Sequence, residues 1–262
     1  MKEFEKKRIV VKVGTSTLTH SNTKKTNIAR MAKLVSVLAD LHNMGHEVVL
    51  VSSGAIAIGV GKLGLNQKPG KDKELQATAA IGQGELMFLY DKLFGEYGVV
   101  VSQLLFTTDA LQRDESRGHL IDTFNQLLAY GSIPIVNEND SVSIEELRNG
   151  DNDCLSAIVS ELIEADMLIM LTDTDGLYDS NPNTNPDAQL ITCVEEITPE
   201  IERIAGGAGD LGTGGFATKI TAADIATSAG IPVTIINGEK PTRIYKILDG
   251  ESVGTLFLPR EK

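Results

Sequence analysis

The 262-residue sequence is poor in cysteine, tryptophan, long apolar runs and positive charge. Its two cysteines, Cys154 and Cys193, lie in no paired spacing, which disfavours a disulfide framework or a zinc site and predicts two reduced thiols. The scattered histidines form no metal-binding motif either. Aspartate and glutamate outnumber lysine and arginine by 36 to 24, so a broad basic surface is excluded. We therefore expect no nucleic-acid or membrane-surface partner, and lysines that act locally.

No apolar run is long enough to span a bilayer and no signal-peptide pattern is present, so we expect a cytoplasmic protein without a membrane partner. Hydrophobic residues make up 42% of the chain, enough for one large core or two modest ones. Strand-like apolar runs alternate with helical patterns such as the spacing from residue 28 to residue 41. This order predicts an α/β fold with a mostly parallel central sheet covered on both faces. Ligands of such sheets bind at the carboxyl ends of the strands.

A lysine interrupts the first apolar run, "RIVVKVGTSTL", at residues 8–18. The β-branched residues around Lys12 are typical of a strand buried on both faces, where an unpaired ammonium is costly. We therefore expect Lys12 at the end of the strand, facing an anion. Gly14 and the three hydroxyl residues after it would let the backbone approach a phosphate and donate hydrogen bonds to it. An ordinary strand-to-loop turn, with Lys12 reaching solvent, is the alternative.

A second strand end, "VSSGAIA", runs into a helix through Ser53 and Gly54. Exposed N–H groups and the positive end of the helix dipole favour a carboxylate or a phosphate there. A serine N-cap is the alternative. The "GVGKLG" that follows has the spacing of a dinucleotide fingerprint, but Gly59 falls several residues into the helix, so we assign it no pyrophosphate.

A third region, "VNENDSVS" followed by "RNGDNDCLSA", concentrates carboxylates and amides around two helix or loop starts. Such residues cap helices, bind magnesium together with water and phosphate, or hold a cationic group of a substrate. Capping accounts for one or two of them and not for the whole set. Arg148 lies among them as a second cation suited to a carboxylate or phosphate. The set comprises Asn137, Glu138, Asn139, Asp140, Asp151, Asn152 and Asp153.

The fourth feature pairs "LTDTDGLY" with "GDLGTGGFATK". The first ends an apolar strand at Thr172 and Asp173, and the second is a glycine-rich loop that opens a helix bearing Lys219. Glycines and a lysine at a helix start indicate a polyphosphate, although the sequence is not a Walker A loop. A flexible surface loop is the alternative.

Six segments, "VVKVGTS", "VSSGAIA", "VNENDSV", "GDNDCLSA", "LTDTDGLY" and "GTGGFATK", resemble the amino acid kinase family in their order and spacing. The resemblance covers essentially the whole chain. It implies an αβα sandwich with a mostly parallel central sheet, formed as a single domain over residues 1–262. Residues from about 1 to 165 would bind the amino acid, and residues from about 166 to 262 would bind ATP. The carboxyl-terminal PUA domain of many relatives is not expected.

The resemblance also implies roles for individual residues. Lys12 and Lys219 would contact the transferring phosphoryl group, and Asp153 would orient both lysines. The amino acid substrate would be bound by Ser53, Gly54, Asp140, Arg148 and Asn152. The nucleotide would be bound by Lys12, Gly14, Thr172, Asp173, Thr213, Gly214, Gly215, Phe216, Ala217, Thr218 and Lys219.

The family members that this chain is most similar to use ATP and magnesium to phosphorylate the side-chain carboxylate of L-glutamate, the first step of proline biosynthesis. The resemblance further implies a homo-oligomer, proline as a feedback inhibitor and glutamyl phosphate reductase as a pathway partner. Kinases of the same fold that act on N-acetylglutamate or carbamate are alternatives, as is a sensor without chemistry. The acidic residues favour a substrate with a free ammonium, and the two lysines argue against a sensor.

Two positions depart from the family pattern. Arg148 stands where many relatives have a lysine, which keeps the charge and changes the geometry. Asn181, Pro182 and Asn183 stand where many have aspartate, proline and a basic residue, so the contacts to adenine are expected to differ there.

Overall fold

The computed structural model describes residues 5–20, 22–23, 25–107, 111, 113–142, 152–182, 184–206 and 215–260. The strands are β1 (Arg8–Val13), β2 (Glu47–Ser52), β3 (Val100–Phe106), β4 (Ser132–Glu138), β5 (Met167–Thr172), β6 (Cys193–Val194), β7 (Val233–Asn237) and β8 (Thr255–Phe257). The helices are α1 (Thr15–Leu18), α2 (Ile28–Asn43), α3 (Ala55–Leu63), α4 (Asp72–Gly95), α5 (Asp114–Ala129), α6 (Asp153–Leu162), α7 (Pro199–Gly206), α8 (Gly215–Ser228) and α9 (Arg243–Leu248).

The eight strands form one sheet in the order β3-β4-β2-β1-β5-β7-β8-β6. Neighbouring strands from β3 to β7 all pair in parallel, and the antiparallel pairing is between β7 and β8. Strand β1 lies between β2 and β5, with Lys12 opposite Val51 on one side and Met170 on the other. The lysine of the first apolar run therefore lies in the middle of the sheet, one residue before its strand ends.

Alternate residues of each central strand pack into two separate cores. Val10 of β1 joins the core formed with helices α5, α6, α7 and α8, whereas Ile9 and Val11 join the core formed with α2, α4 and α9. Both faces of the sheet are therefore covered by helices, which explains the absence of polar alternation in "RIVVKV". The predicted αβα sandwich with a mostly parallel central sheet is confirmed.

Helix ends follow local sequence signals. Helix α2 begins after Asn27, whose side chain accepts a hydrogen bond from the backbone N–H of Arg30. It ends just before Gly45, which has a φ of 104° and turns the chain into β2. The helical stretch predicted from residue 108 to residue 130 is observed as α5, which begins at Asp114; residues 108–110 and 112 lie outside the described part. In the part of the chain that the structure describes, no helix combines the length and the apolar character needed to cross a membrane.

Candidate active site

Lys12 and Lys219 meet on one buried carboxylate. The Nζ atom of Lys12 lies 2.5 Å from Oδ1 of Asp153, and the Nζ atom of Lys219 lies 2.9 Å from Oδ2 of the same residue. Asp153 is fully buried, and the two lysines are 3% and 8% exposed. These residues come from three elements, because Lys12 is the penultimate residue of β1, Asp153 begins α6 and Lys219 lies in the second turn of α8. The anion that Lys12 faces within the fold is therefore this carboxylate.

Two ammonium groups contact one carboxylate within this set of three side chains. The Thr218 hydroxyl also donates to Oδ2 of Asp153 at 3.0 Å, so it adds a hydrogen bond and no charge. Burying an uncompensated cation costs free energy, and the cost falls when an anion binds beside it. The arrangement therefore favours a ligand that brings negative charge, such as a phosphoryl group.

A cavity of about 1010 Å³ opens at the carboxyl ends of the central strands, and Asn152, the residue before Asp153, lines it. Its walls come from the segment that follows β1, the first turn of α3 and residues 64–68 after α3. The end of β4 and Asn152, the residue before α6, complete them. Thr15 and Ser16 of α1 line it, directly after the β1 end that carries Lys12. Of the side chains predicted for the amino acid substrate, Ser53, Asp140 and Asn152 line this cavity, as does Gly54.

The first turn of α3 presents an anion-binding end to the cavity. Gly54 precedes the helix with a φ of 105°, a backbone conformation that favours glycine, and this turns the N-terminal residues Ala55 and Ile56 toward the cavity. Ser53 is 6% exposed, and its Oγ is buried without a hydrogen-bond partner among the described residues. Free backbone N–H groups, the helix dipole and this hydroxyl together suit a carboxylate.

Asp140 supplies a carboxyl group on another wall of the same cavity. Burial raises its pKa to about 6, although the nearby Lys68 ammonium partly offsets the shift. An ammonium group bound next to it would favour the charged form and lower its pKa again. The cavity therefore has one end that suits an anion and a side chain that suits a cation.

Asn152 and Asn137 are joined by a hydrogen bond in the wall of the cavity. The Nδ2 group of Asn152 donates to the Ser52 carbonyl oxygen at 3.0 Å and to Oδ1 of Asn137 at 2.6 Å. Both residues line the cavity, and both are nearly buried. Asn137 lies near the end of β4 and Ser52 ends the neighbouring parallel strand β2, so Asn152, immediately before α6, bonds to both strand ends.

Helix α4 contributes side chains behind the cavity that sequence reasoning did not single out. Oε1 of Gln83 accepts a hydrogen bond from Nδ2 of Asn137 at 2.9 Å. The Tyr90 hydroxyl lies 2.9 Å from Oγ of Ser52, and burial raises the pKa of this hydroxyl, so it stays protonated. The available signal was Gly82, because a glycine inside a helix often marks a close approach of another backbone.

The other residues predicted to bind the nucleotide lie at the ends of β1 and β5 and at the start of α8. Thr172 ends β5, and its hydroxyl lies 3.2 Å from Oδ1 of the exposed Asp173. Helix α8 begins at Gly215, with Phe216 packed against the core and Ala217 exposed. Gly14 follows β1, and a Cβ atom added there would lie 3.7 Å from Nζ of Lys12. The structure therefore brings these positions to the same edge of the sheet as the lysines.

Some predicted residues lie outside the described part of the chain. They are Arg148, Asp151, Asn183, Thr213 and Gly214, so no geometry is assigned to them.

A metal-binding cage is absent from the described ranges, in which no group of three or more histidine, cysteine, aspartate or glutamate side chains is placed to hold a metal ion. The buried carboxylate of Asp153 already contacts two lysines. Among the described residues, magnesium would therefore depend on phosphate and water for most of its ligands, which is the usual preference of that ion.

Known proteins resemble this chain both in sequence and in fold. A sequence model described as the Amino acid kinase family matches residues 7–237. The chain is 55% identical to the glutamate 5-kinase of Clostridium perfringens (strain 13 / Type A), over 98% of this chain and 97% of that protein. It is 54% identical to the glutamate 5-kinase of Moorella thermoacetica, over 97% of this chain and 68% of that protein.

Solved structures of other kinases share the fold at low identity. The isopentenyl phosphate kinase of T. acidophilum superposes with a TM-score of 0.67 at 22% identity, covering 95% of this chain and 99% of that one. The UMP kinase of Bacillus anthracis superposes with a TM-score of 0.64 at 17% identity, covering 97% of each chain. The chain therefore belongs to the amino acid kinase family, within which its sequence groups with the glutamate 5-kinases.

Proposed function

We propose that this chain transfers the γ-phosphoryl group of ATP to the side-chain carboxylate of L-glutamate, giving L-glutamyl 5-phosphate in the first step of proline biosynthesis. The observation that carries the proposal is the placement of Asn152 and Asp153. Asn152 lines the cavity, and Asp153, the next residue, holds Lys12 and Lys219. A substrate in the cavity would then lie next to the lysines. The names and identities of the curated relatives support the choice of glutamate.

The charges of the cavity match a free amino acid. The first turn of α3 and Ser53 would bind the α-carboxylate, and Asp140 together with Oδ1 of Asn152 would bind the α-ammonium. The side-chain carboxylate would then extend toward Lys12. Arg148, which lies outside the described residues, is a further candidate for contact with substrate.

Lys12 and Lys219 would stabilise the transferring phosphoryl group. In an in-line transfer the negative charge spreads over the phosphoryl oxygens, and the protein contributes mainly positioning and electrostatic stabilisation. Asp153 would hold both ammonium groups in place before ATP binds. No general base is needed, because the attacking carboxylate has an ordinary pKa of about 4.3 and is already ionised at neutral pH.

ATP would bind over the edge formed by β5 and α8. The proposed contacts are Thr172, Asp173 and the start of α8 from Gly215 to Lys219, together with Gly14, Thr213 and Gly214. Magnesium bound to the phosphates would neutralise charge on the β- and γ-oxygens. In this assignment residues from about 1 to 165 bind the amino acid, and residues from about 166 to 262 bind the nucleotide.

The family resemblance supports finer proposals about regulation and surroundings. We propose proline as a feedback inhibitor, glutamyl phosphate reductase as the pathway partner, a homo-oligomeric assembly and a cytoplasmic location. Proline carries a carboxylate and an ammonium, the two groups that the cavity walls match.

A hydroxylamine trap tests the proposed reaction. The protein is incubated with ATP and magnesium and, in separate reactions, with glutamate, N-acetylglutamate, aspartate or carbamate, and any acyl phosphate is converted to a hydroxamate. We expect hydroxamate with glutamate and far less with the others, because N-acetylglutamate lacks the ammonium that Asp140 would bind. A preference for N-acetylglutamate or carbamate, or no product with any of the four, would overturn the proposal.

A further inference from the structure

We propose that Gln83 of helix α4 is a positioning residue for the substrate ammonium, which it orients through Asn137 and Asn152. These three side chains are called the amide relay below. The inference rests on the proposed function, because it assigns the group that Asn152 presents to glutamate.

Hydrogen bonds at both ends fix the orientation of the amide relay. The backbone N–H of Glu138 donates to Oδ1 of Asn137 at 2.9 Å, and a backbone N–H acts only as a donor. At the other end, Nδ2 of Asn152 donates to the Ser52 carbonyl oxygen, which acts only as an acceptor. Neither asparagine amide can therefore rotate by 180° without facing donor to donor or acceptor to acceptor.

This orientation leaves one group of Asn152 for the ligand. Both hydrogens of its Nδ2 group are used, one by the Ser52 carbonyl and one by Oδ1 of Asn137. Its Oδ1 atom accepts no hydrogen bond from the described residues, and Asn152 lines the cavity. An oxygen without hydrogens suits an ammonium and not a carboxylate. The amide relay therefore presents an acceptor to the cationic end of the substrate.

Gln83 completes the amide relay. With Oδ1 of Asn137 already accepting two hydrogen bonds, the Nδ2 group of Asn137 needs an acceptor, and Oε1 of Gln83 supplies it at 2.9 Å. Gln83 is 8% exposed, and its Nε2 is buried without a hydrogen-bond partner among the described residues. A buried amide that leaves donors unused costs stability, and an apolar side chain would avoid this cost. Packing alone therefore does not account for glutamine at this position.

A glycine contact brings Gln83 close to the site. A Cβ atom added to Gly82 would lie 1.8 Å from the Ala55 carbonyl oxygen, and one added to Gly59 would lie 2.1 Å from the Thr78 carbonyl oxygen. Helices α3 and α4 therefore cross with their backbones in contact, at the first turn of α3 that lines the cavity. The residue after Gly82 consequently reaches Asn137, near the end of β4.

The test compares glutamate with glutarate, which lacks the ammonium group. We expect the wild-type protein to prefer glutamate. The Gln83→Met variant keeps an unbranched side chain but offers no amide acceptor, so its preference, the ratio of kcat/KM for glutamate to that for glutarate, should fall by about tenfold, the effect of roughly one hydrogen bond to a charged group. The KM for ATP should stay within about twofold of wild type.

Further variants separate positioning from packing. Gln83→Glu retains an acceptor oxygen and should restore most of the preference for glutamate. Gln83→Asn is shorter by one methylene and cannot reach Asn137, so it should lose the preference as Gln83→Met does, and it replaces that variant if Gln83→Met does not fold. Gln76→Met, the same change seven residues earlier on α4, is the control and should leave the ratio unchanged.

The outcomes also distinguish this inference from the proposed function. A wild-type protein that forms no product from glutamate overturns both. A wild-type protein that uses glutamate and glutarate equally, or a Gln83→Met variant that keeps the wild-type ratio or loses activity equally with both substrates, overturns the inference and leaves the kinase activity standing. A Gln83→Glu variant no better than Gln83→Met also overturns it.

Discussion

Asn152 and Asp153 are consecutive residues that face two different sites. Asn152 lines the cavity, whereas the buried carboxylate of Asp153 contacts Lys12 and Lys219. Asn152 is the residue immediately before helix α6, and Asp153 is its first residue, so the rigid start of one helix sets the spacing between the two sites. In the proposed function, a phosphoryl acceptor bound to Asn152 would thereby be placed relative to the phosphoryl group without a flexible connection.

The two lysines are expected to be needed for catalysis and not for folding. Lys12→Met and Lys219→Met should each lower kcat by about a hundredfold or more, the effect of losing one electrostatic stabiliser at the phosphoryl group. Stability should change little, because in each variant the remaining lysine still pairs with the carboxylate of Asp153. Steady-state hydroxamate formation and thermal unfolding measure the two effects.

Asp153→Asn should lower the stability of the fold, unlike the two lysine substitutions. It removes the carboxylate that both lysines share, and we expect a loss of about 3–5 kcal/mol in the free energy of unfolding. If a lysine variant kept wild-type kcat, the role proposed for that lysine would be wrong.

Asp140→Asn should weaken glutamate binding without weakening the fold. Loss of a partly buried charge partner for the ammonium corresponds to roughly 2–5 kcal/mol, so the KM for glutamate should rise steeply while the KM for ATP stays close to wild type. Burial raises the pKa of Asp140 to about 6, so the charged form that predominates at pH 7 costs some stability in the folded protein relative to the unfolded chain. Asparagine carries no charge, so the melting temperature should be unchanged or slightly higher. An unchanged KM for glutamate would remove Asp140 from the site.

Glutamate binding should strengthen as pH rises through the pKa of Asp140. Below about pH 6, the pKa of Asp140, the Asp140 carboxyl group of the empty site is mostly protonated and does not attract an ammonium. At pH 5 only about a tenth of the protein has the charged form, so the KM for glutamate should be about tenfold higher than at pH 7.5. The KM for ATP over the same range is the internal control. The Asp140→Asn variant should lose the pH dependence, and a variant that kept it would assign the titration to another group.

The glycine contact between α3 and α4 should make Gly82 far less tolerant of change than its neighbour. Gly82→Ala places a Cβ atom 1.8 Å from a backbone oxygen, so the helices have to separate, at an expected cost of about 1–3 kcal/mol. A Cβ atom at Gly84, on the same helix, meets nothing within 4 Å, and alanine there should add roughly 0.5–1 kcal/mol through helix propensity. Urea unfolding of both variants measures the difference, and similar midpoints would contradict the helix crossing.

The sequence predicted the sheet and the lysine sites because their signals are local. Lys12 stands out within six residues, since an ammonium inside a β-branched run requires an anion. The alternation of strands and helices likewise predicted a parallel sheet and placed the candidate residues at its carboxyl edge. The residues around Lys12 could not predict which anion it contacts, because Asp153 belongs to a helix far along the chain. That Asp153 orients the two lysines was first implied by the family resemblance.

Features that depend on distant contacts were not predicted. Gln83 looks like any polar residue of a long helix, and only the fold shows that it contacts the end of β4. The "GVGKLG" spacing was assigned no pyrophosphate because Gly59 falls inside a helix, and the structure shows Gly59 in the crossing of α3 with α4, a contact that was not predicted. The antiparallel pairing of β7 with β8 was not predicted either, because the sequence of a three-residue strand carries no signal for its direction in the sheet.

Lys12 lies on a strand whose two neighbours are separated by more than a hundred residues along the chain, so the second is made well after the first. Strand β1 pairs with β2 on one edge and with β5, which ends at Thr172, on the other. Until β5 has been synthesised, the central strand of the mature sheet has an open apolar edge, the kind of edge that pairs with other chains. Lys219 joins Asp153 later still, once α8 has formed. The central strand therefore gains its second neighbour, and Asp153 its contact with Lys219, only after residues far along the chain have been made.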